Sequence, residues 1–268
     1  MVISGTTKIF VIFAHPSEQV RAPTLFNQKF DEKGIDHVMV PIDVPPSNLA
    51  NCVNSLRGIL NVRGGVVTVP HKVALANLCD KLGPGAKATG AVNAVRFDKN
   101  GTLHGDNFDG VGFVAGLKDH KYQLKNKNIL LVGAGGASRA LAAELVNEPI
   151  KCLKIINRNF NKAKEVVQII KTVRKTDKIG CLKKEQVNFS NFDFVINTTS
   201  LGLKLNDPLP FNIEALNRDC VVCDIIMKPE ETALLSAAKK AGLRVHYGKH
   251  MLDYQMSFIS NFIGAFKT

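Results

Sequence analysis

A lysine, a carboxylate and a glycine turn are the features of this 268-residue chain whose residue types and spacing suit them to chemistry. Val66-Val67-Thr68-Val69-Pro70-His71-Lys72 sets Lys72 just beyond an apolar strand, at the edge where open α/β sheets bind ligands. An ammonium there can protonate a developing alkoxide, and its amine can take the proton back. Taken alone, a lysine after a proline turn is ordinarily solvated surface. Gly90-Ala91-Val92-Asn93 and Gly105-Asp106-Asn107-Phe108-Asp109-Gly110 add an amide and a carboxylate beside turn glycines.

Farther on, the apolar run Ile129-Leu130-Leu131-Val132 breaks into Gly133-Ala134-Gly135-Gly136-Ala137, with a helix expected from about Ser138 to Val146. Such glycines let the backbone approach phosphate oxygens while the helix aims its first amides at the charge, which is how a dinucleotide pyrophosphate is held. Ser138 stands where the fingerprint has its third glycine, so this motif alone also fits a plain tight connection. The next strand, Leu153 to Ile156, ends at Asn157-Arg158-Asn159, where a dinucleotide fold meets the adenosine ribose. No acid stands there to accept from a 2′-hydroxyl. A guanidinium suits a 2′-phosphate, so Arg158 points to NADP; the alternative is a solvated arginine after a strand.

These groups need elements to position them. Apolar runs alternate with amphipathic stretches from end to end, the pattern of α/β architecture with parallel sheets. One series has strands near Lys8 to Phe13, His37 to Ile42 and Gly65 to Val69, helices near Thr24 to Lys33, Ser47 to Leu60 and His71 to Asp80, and a β-like segment from Gly90 to Phe97. A second starts near Lys127, with strands at the glycine turn, before Asn157, from Asp193 to Asn197 and from Cys220 to Ile226. A helix from Gly110 to Leu117 links the two. The last helix, Leu252 to Ala265, has an apolar stripe (Met256, Phe258, Ile259, Phe262, Ile263) expected to bury against the first domain. The reading is therefore α/β with two domains: a substrate domain of 1–107 plus 243–268, a Rossmann-type dinucleotide domain of 108–242, and a cleft between them.

The formal net charge of +12 is concentrated. Between Lys151 and Lys184 eleven basic residues face two acidic ones, Glu165 and Asp177. A positive field there favours a phosphorylated nucleotide, and a solvated helix face accounts for most of these lysines equally well. Without Trp, with three Tyr and no zinc-finger spacing, nucleic acid is the last-ranked partner. Ile9 to Ala14 is too short to span a bilayer, so the expectation is a cytoplasmic protein with no membrane partner. Six cysteines without framework spacing are expected to be free thiols, Cys220-Val-Val-Cys223 included.

Taken in order, these motifs, with Asn197-Thr198-Thr199-Ser200-Leu201-Gly202 and Met251-Leu252-Asp253-Tyr254-Gln255, resemble the shikimate dehydrogenase family and its quinate/shikimate branch through nearly the whole chain. The resemblance implies hydride transfer between nicotinamide and a ring hydroxyl or ketone of a small cyclic polyol. It implies Lys72 and Asp109 as the catalytic pair, with Thr68, Asn93 and Gln255 on the polyol hydroxyls. It further implies Gly133, Gly135, Gly136 and Ala137 at the pyrophosphate, Asn157 and Arg158 at the adenosine phosphate, and Thr198 and Ser200 beside the cofactor. The cofactor is expected to be NADP, with NAD still open because Asn159 stands where the family's loop often has Thr. The protein is expected to be a monomer or homodimer.

The chain departs from the family at one end of the substrate. The Ser-x-Ser-Pro element that binds the carboxylate is Val20-Arg21-Ala22-Pro23 here, and the tyrosine of Asp-x-x-Tyr-x-Pro is Met227. Each lost hydrogen bond to a charged group is worth about 1.5–3 kcal/mol. Phe108, in place of Thr, makes the same pocket less polar. The main expectation is a dehydrogenase with altered carboxylate recognition at Val20, Arg21, Ala22 and Met227. The alternatives are a housekeeping shikimate 5-dehydrogenase of aromatic amino-acid biosynthesis, with Arg21 as substitute clamp, and a non-catalytic nucleotide-responsive binding protein.

Overall fold

The structure, a computed structural model, describes residues 2–18 and 20–266. The chain divides into two compact units, Met1–Phe108 with Met256–Thr268, and Asp109–Gln255.

The first unit contains β1 (Lys8–Ala14), α1 (Ala22–Glu32), β2 (His37–Asp43), α2 (Leu49–Leu56), β3 (Val62–Val67), α3 (Lys72–Ala76), β4 (Lys81–Leu82), α4 (Pro84–Thr89), β5 (Ala94–Phe97) and β6 (Leu103–Asp106). Its sheet runs β2-β1-β3-β5-β6-β4. The sheet is mixed rather than parallel throughout: β5 is antiparallel to both β3 and β6. The reason is local, since residues 98–102 join β5 to β6 as a hairpin, with Gly101 at φ +80° and its amide bonded to the Asp98 carbonyl. β1 is buried on both faces, as its unbroken apolar run requires. Val11 and Phe13 join the cluster of Val53, Val67, Leu75 and Val95, while Phe10 joins Phe26, Phe30, Met39, Ile259 and Ile263 on the other face. The expected stripe of the last helix thus packs where anticipated, with Met256 and Phe262 against the same cluster.

β3 starts three residues earlier than expected and ends before Thr68. Two glycines hide its beginning in the sequence. A Cβ on Gly65 would stand 1.9 Å from the Val11 carbonyl oxygen and one on Gly64 2.3 Å from that of Val95, so the backbones approach too closely for side chains. The helix expected over 71–80 stops at Ala76, because the chain turns there to bring Asp80 to the Leu103 amide.

The second unit contains α5 (Asp109–Asp119), β7 (Asn128–Val132), α6 (Gly136–Leu145), β8 (Cys152–Ile156), α7 (Phe160–Arg174), β9 (Ile179–Cys181), β10 (Phe194–Asn197), β11 (Val221–Asp224), α8 (Ala233–Lys240) and β12 (Arg244–His246). α9 (Gly248–Ile263) follows and is shared, its residues up to Gln255 in this unit. The sheet is β12-β11-β10-β7-β8-β9 with every pair parallel. Counted from β7, this is the doubly wound order 3-2-1-4-5-6, with its switch point between β7 and β10. Residues 243–255, expected with the first domain, pack with this unit because β12 pairs with β11. The basic stretch forms α7, which buries Ala163, Val166 and Ile170 and turns most of its lysines to solvent. The cysteines are free thiols. Among the described residues, no helix is long and apolar enough to cross a membrane.

Candidate active site

In the first unit, backbone hydrogen bonds gather three of the expected side chains at one sheet edge. Thr68 and Lys72 follow β3, with Lys72 as the first residue of α3, and both are half-buried. The Lys72 carbonyl accepts from Val92 N at 2.9 Å, and the Asn93 carbonyl accepts from Val67 N at 2.8 Å. Asn93 is 2% exposed; its amide donates to the Asp106 carbonyl at 3.0 Å and its side-chain oxygen accepts from Phe108 N at 3.0 Å. Thr68, Lys72 and Asn93 are therefore held by the same few peptides.

Asp106 has a different task from Asp109. Its carboxylate accepts from Ala86 N at 2.9 Å and Asn107 N at 2.8 Å, holding the first turn of α4. A Cβ on Gly83 would stand 2.1 Å from that carboxylate, which is why the loop is glycine-rich. The sequence motif shows both acids but not this division. Val20, Arg21 and Ala22 lie at the entry to α1, with Arg21 exposed at the N-cap and making no side-chain cap bond. Phe108 packs on Phe262, ring centroids 5.4 Å apart, on the apolar cluster of this unit.

In the second unit, Asp109 opens α5 and Gln255 lies on α9; both are buried. The two helices touch at Gly112, where a Cβ would stand 2.7 Å from that of Gln255. Met227 is half-buried beyond β11. The end of β11 is fixed by Asp224, whose buried carboxylate accepts from Asn197 Nδ2 at 3.1 Å, Thr232 Oγ1 at 2.8 Å and Ile226 N at 3.1 Å. Desolvation raises the Asp224 pKa above the usual carboxylate value. This network joins residues as far apart as Asn197 and Asp224, and nothing local in the sequence announces it.

The glycine turn sits at the switch point. Gly133 has φ +121°, and a Cβ on it would stand 2.6 Å from Thr198 Oγ1, which itself donates to the Val132 carbonyl at 2.9 Å. β7 and β10 thus meet through a glycine that no other residue replaces without strain. Gly135 is the N-cap of α6 and makes no side-chain cap, Gly136 is its first residue, and its first turn carries no acid. A Cβ on Gly135 or Gly136 would meet nothing within 4 Å. The first amides of α6 therefore face open space under a favourable dipole, a fit for a pyrophosphate. Ala137 is half-buried beside them, and Ser138, in the third-glycine position, is fully buried on the helix's inner face.

After β8, Arg158 is exposed and Asn157 is half-buried, its side-chain amide donating to the Asn159 carbonyl at 2.9 Å. Asn159 caps α7, its side chain accepting from the amides of Asn161 and Lys162. That role suits Asn and Thr alike, so the departure at Asn159 has a structural use. Ser200 is exposed in the turn after β10.

An α/β chain with a doubly wound sheet, a bare glycine turn at its switch point and a lysine at the edge of a second sheet belongs to the dinucleotide-dependent class of enzymes. The comparisons narrow this. Residues 12–95 match the shikimate dehydrogenase substrate binding domain, and residues 116–205 match shikimate/quinate 5-dehydrogenase. A shikimate dehydrogenase (NADP(+)) of Methanobrevibacter smithii is 38% identical over 94% of this chain and 90% of its own length. A shikimate dehydrogenase crystallised with NADP+ superposes with TM-score 0.89 at 31% identity, covering 98% of this chain and 91% of that one. A 5-ketofructose reductase of Gluconobacter superposes with TM-score 0.84 at 28% identity, covering 96% and 92%. The chain belongs to the shikimate dehydrogenase family, a family of oxidoreductases acting on CH–OH groups.

Proposed function

We propose that the protein is an NADP-dependent dehydrogenase of a shikimate- or quinate-like cyclic polyol, with the carboxylate end of its substrate site rebuilt. The observation that carries this reading is the placing of Thr68, Lys72 and Asn93 at one edge of the first sheet by shared backbone hydrogen bonds. NADP, when bound, accepts or supplies the hydride. The first amides of α6 hold its pyrophosphate, and Arg158 pairs with its 2′-phosphate. Lys72 takes the hydroxyl proton as the alcohol is oxidised and returns it as the ketone is reduced, with Asp109 as its carboxylate partner. Thr68, Asn93 and Gln255 hydrogen-bond the ring hydroxyls. Residues 1–108 with the end of α9 serve as the substrate domain, and 109–255 as the cofactor domain.

The rebuilt end rests on four residues. Val20, Ala22 and Met227 offer no side-chain donor, and Phe108 is drawn onto Phe262. The likeness to a 5-ketofructose reductase supports a substrate with a neutral group there, because a keto sugar carries no carboxylate. The housekeeping shikimate 5-dehydrogenase is a second reading, favoured by exposed Arg21 at the head of α1 and by 38% identity to an enzyme of that name. Initial rates with shikimate, quinate and a neutral keto sugar, each with NADP or NAD, separate them. Weak turnover of shikimate that rises at least tenfold in Val20→Ser/Ala22→Ser supports the rebuilt end. Full turnover of shikimate that falls in Arg21→Ala assigns Arg21 as the clamp instead.

A further inference from the structure

We propose that His120, His246 and His250 form a binding site for a divalent transition-metal ion of the zinc class, within the second unit and apart from the glycine turn. His120 follows α5, His246 ends β12 and His250 lies in the first turn of α9. One ring nitrogen of each comes within 4.8 Å of the others, and the ring centroids of His120 and His250 are 4.0 Å apart. Three nitrogens bound to tetrahedral zinc stand about 3.4 Å apart, at bond lengths of about 2.0–2.1 Å. An ångström or so of side-chain movement closes the set, and His120 is its exposed member.

The protonation pattern favours a cation. His120 Nδ1 donates to the Gly116 carbonyl at 2.9 Å, which leaves the lone pair on Nε2. This is the outer hydrogen bond that orients metal-binding imidazoles. His246 is 1% exposed, and neither of its ring nitrogens has a hydrogen-bond partner. A buried imidazole with both nitrogens unpaired is costly, and a metal ion would satisfy its lone pair. Phe113 and Tyr122 hold the ring edge-on, at 5.4 and 5.8 Å between centroids. Gly116 keeps the floor open, since a Cβ there would stand 3.3 Å from His246 Nε2 and 3.2 Å from the His250 Cβ.

Three imidazoles without a carboxylate suit zinc, nickel or copper and not calcium or magnesium. Because His120 is the exposed member of the set, a water ligand completing a tetrahedral site would come from its side. β12 lies three strands from β7, about 14 Å at the usual spacing, so the ion is not a ligand of the pyrophosphate. It would tie the end of α5 to the start of α9, the helices that carry Asp109 and Gln255.

Calorimetric titration of Zn2+ into untagged, metal-free protein tests this, with circular dichroism confirming that each variant is folded. The expected result is one equivalent bound with a dissociation constant of micromolar or tighter and a raised thermal midpoint. Affinity should fall at least tenfold in His120→Ala and again in His250→Gln. Absence of binding overturns the proposal. So does binding that both variants retain, which would place the ion on cysteines or on one of the first unit's two histidine–aspartate pairs, His15 with Asp43 and His104 with Asp98, each 2.7 Å apart.

Discussion

The two units present their ends in different materials. The second offers Gly133, Gly135 and Gly136 through backbone, with open space where side chains would stand on Gly135 and Gly136. The first offers Thr68, Lys72 and Asn93 through side chains on a backbone tied together by hydrogen bonds. A backbone site works by the absence of Cβ atoms and leaves little freedom to vary. A side-chain site can keep its frame and change what it accepts one residue at a time, which is the role proposed above for Val20 and Ala22. Chemistry and cofactor are therefore written more firmly than substrate.

The largest effect should come from Lys72. Lys72→Ala is expected to lower kcat/KM by about 10²–10⁴, the usual range for loss of a positioned acid/base, with NADP affinity unchanged in a fluorescence titration. Equal loss of NADP binding would break the contrast by making Lys72 part of the cofactor side. Arg158→Ala comes next. Loss of charge-assisted bonds worth about 1.5–3 kcal/mol should raise KM for NADP about 10- to 150-fold and leave KM for NAD within about twofold. An equal change for both nucleotides would return Arg158 to a solvated arginine.

The glycines separate folding from binding. Gly133→Ala adds a Cβ 2.6 Å from Thr198 Oγ1 at φ +121°, and should cost about 1–3 kcal/mol in urea unfolding. Gly135→Ala meets nothing within 4 Å and has φ −90°, so stability should stay within about 0.5 kcal/mol. Its NADP affinity should nonetheless fall, because only the bound nucleotide fills that space. If Gly135→Ala binds NADP normally, the open α6 terminus is not the pyrophosphate site.

What the sequence could tell follows the same division. β7, β10 and β11 were legible because buried parallel strands are apolar runs, and β8 from the apolar residues on either side of Lys154. β9 and β12, three residues each, are too short for any period to register. α7 was legible only as a solvated, lysine-rich helix face, since its inner face is marked by just Ala163, Val166 and Ile170. The antiparallel direction of β5 has a local mark in the Asn100-Gly101 pair of residues 98–102, and the expectation of parallel sheets throughout passed over it. The glycine turn and the Lys72 motif could be read as local strings. The Asp224 network and the histidine cluster could not, as they join residues far apart in sequence and declare themselves only once β10, β11, β12 and α9 are in place.

The smallest expected effect concerns what holds the side-chain frame. Asp80 receives hydrogen bonds from the Arg57 guanidinium and from Leu103 N, pinning the chain after α3 to β6. The Arg57 bond, with that of the Leu103 amide, holds the Asp80 pKa below its usual value. A carboxylate with a depressed folded pKa contributes stability that is present above its unfolded pKa, about 3.9, and is lost as pH falls through the folded value. Asp80→Asn should therefore lower the thermal midpoint slightly at pH 7, and the gap to wild type should close below about pH 4. Asp80 is half exposed, so solvent screening keeps the effect small. The informative readout is kinetic. If the frame is what positions Lys72, KM for the polyol should rise in Asp80→Asn while KM for NADP holds, whereas a purely structural ion pair would move the midpoint and neither constant.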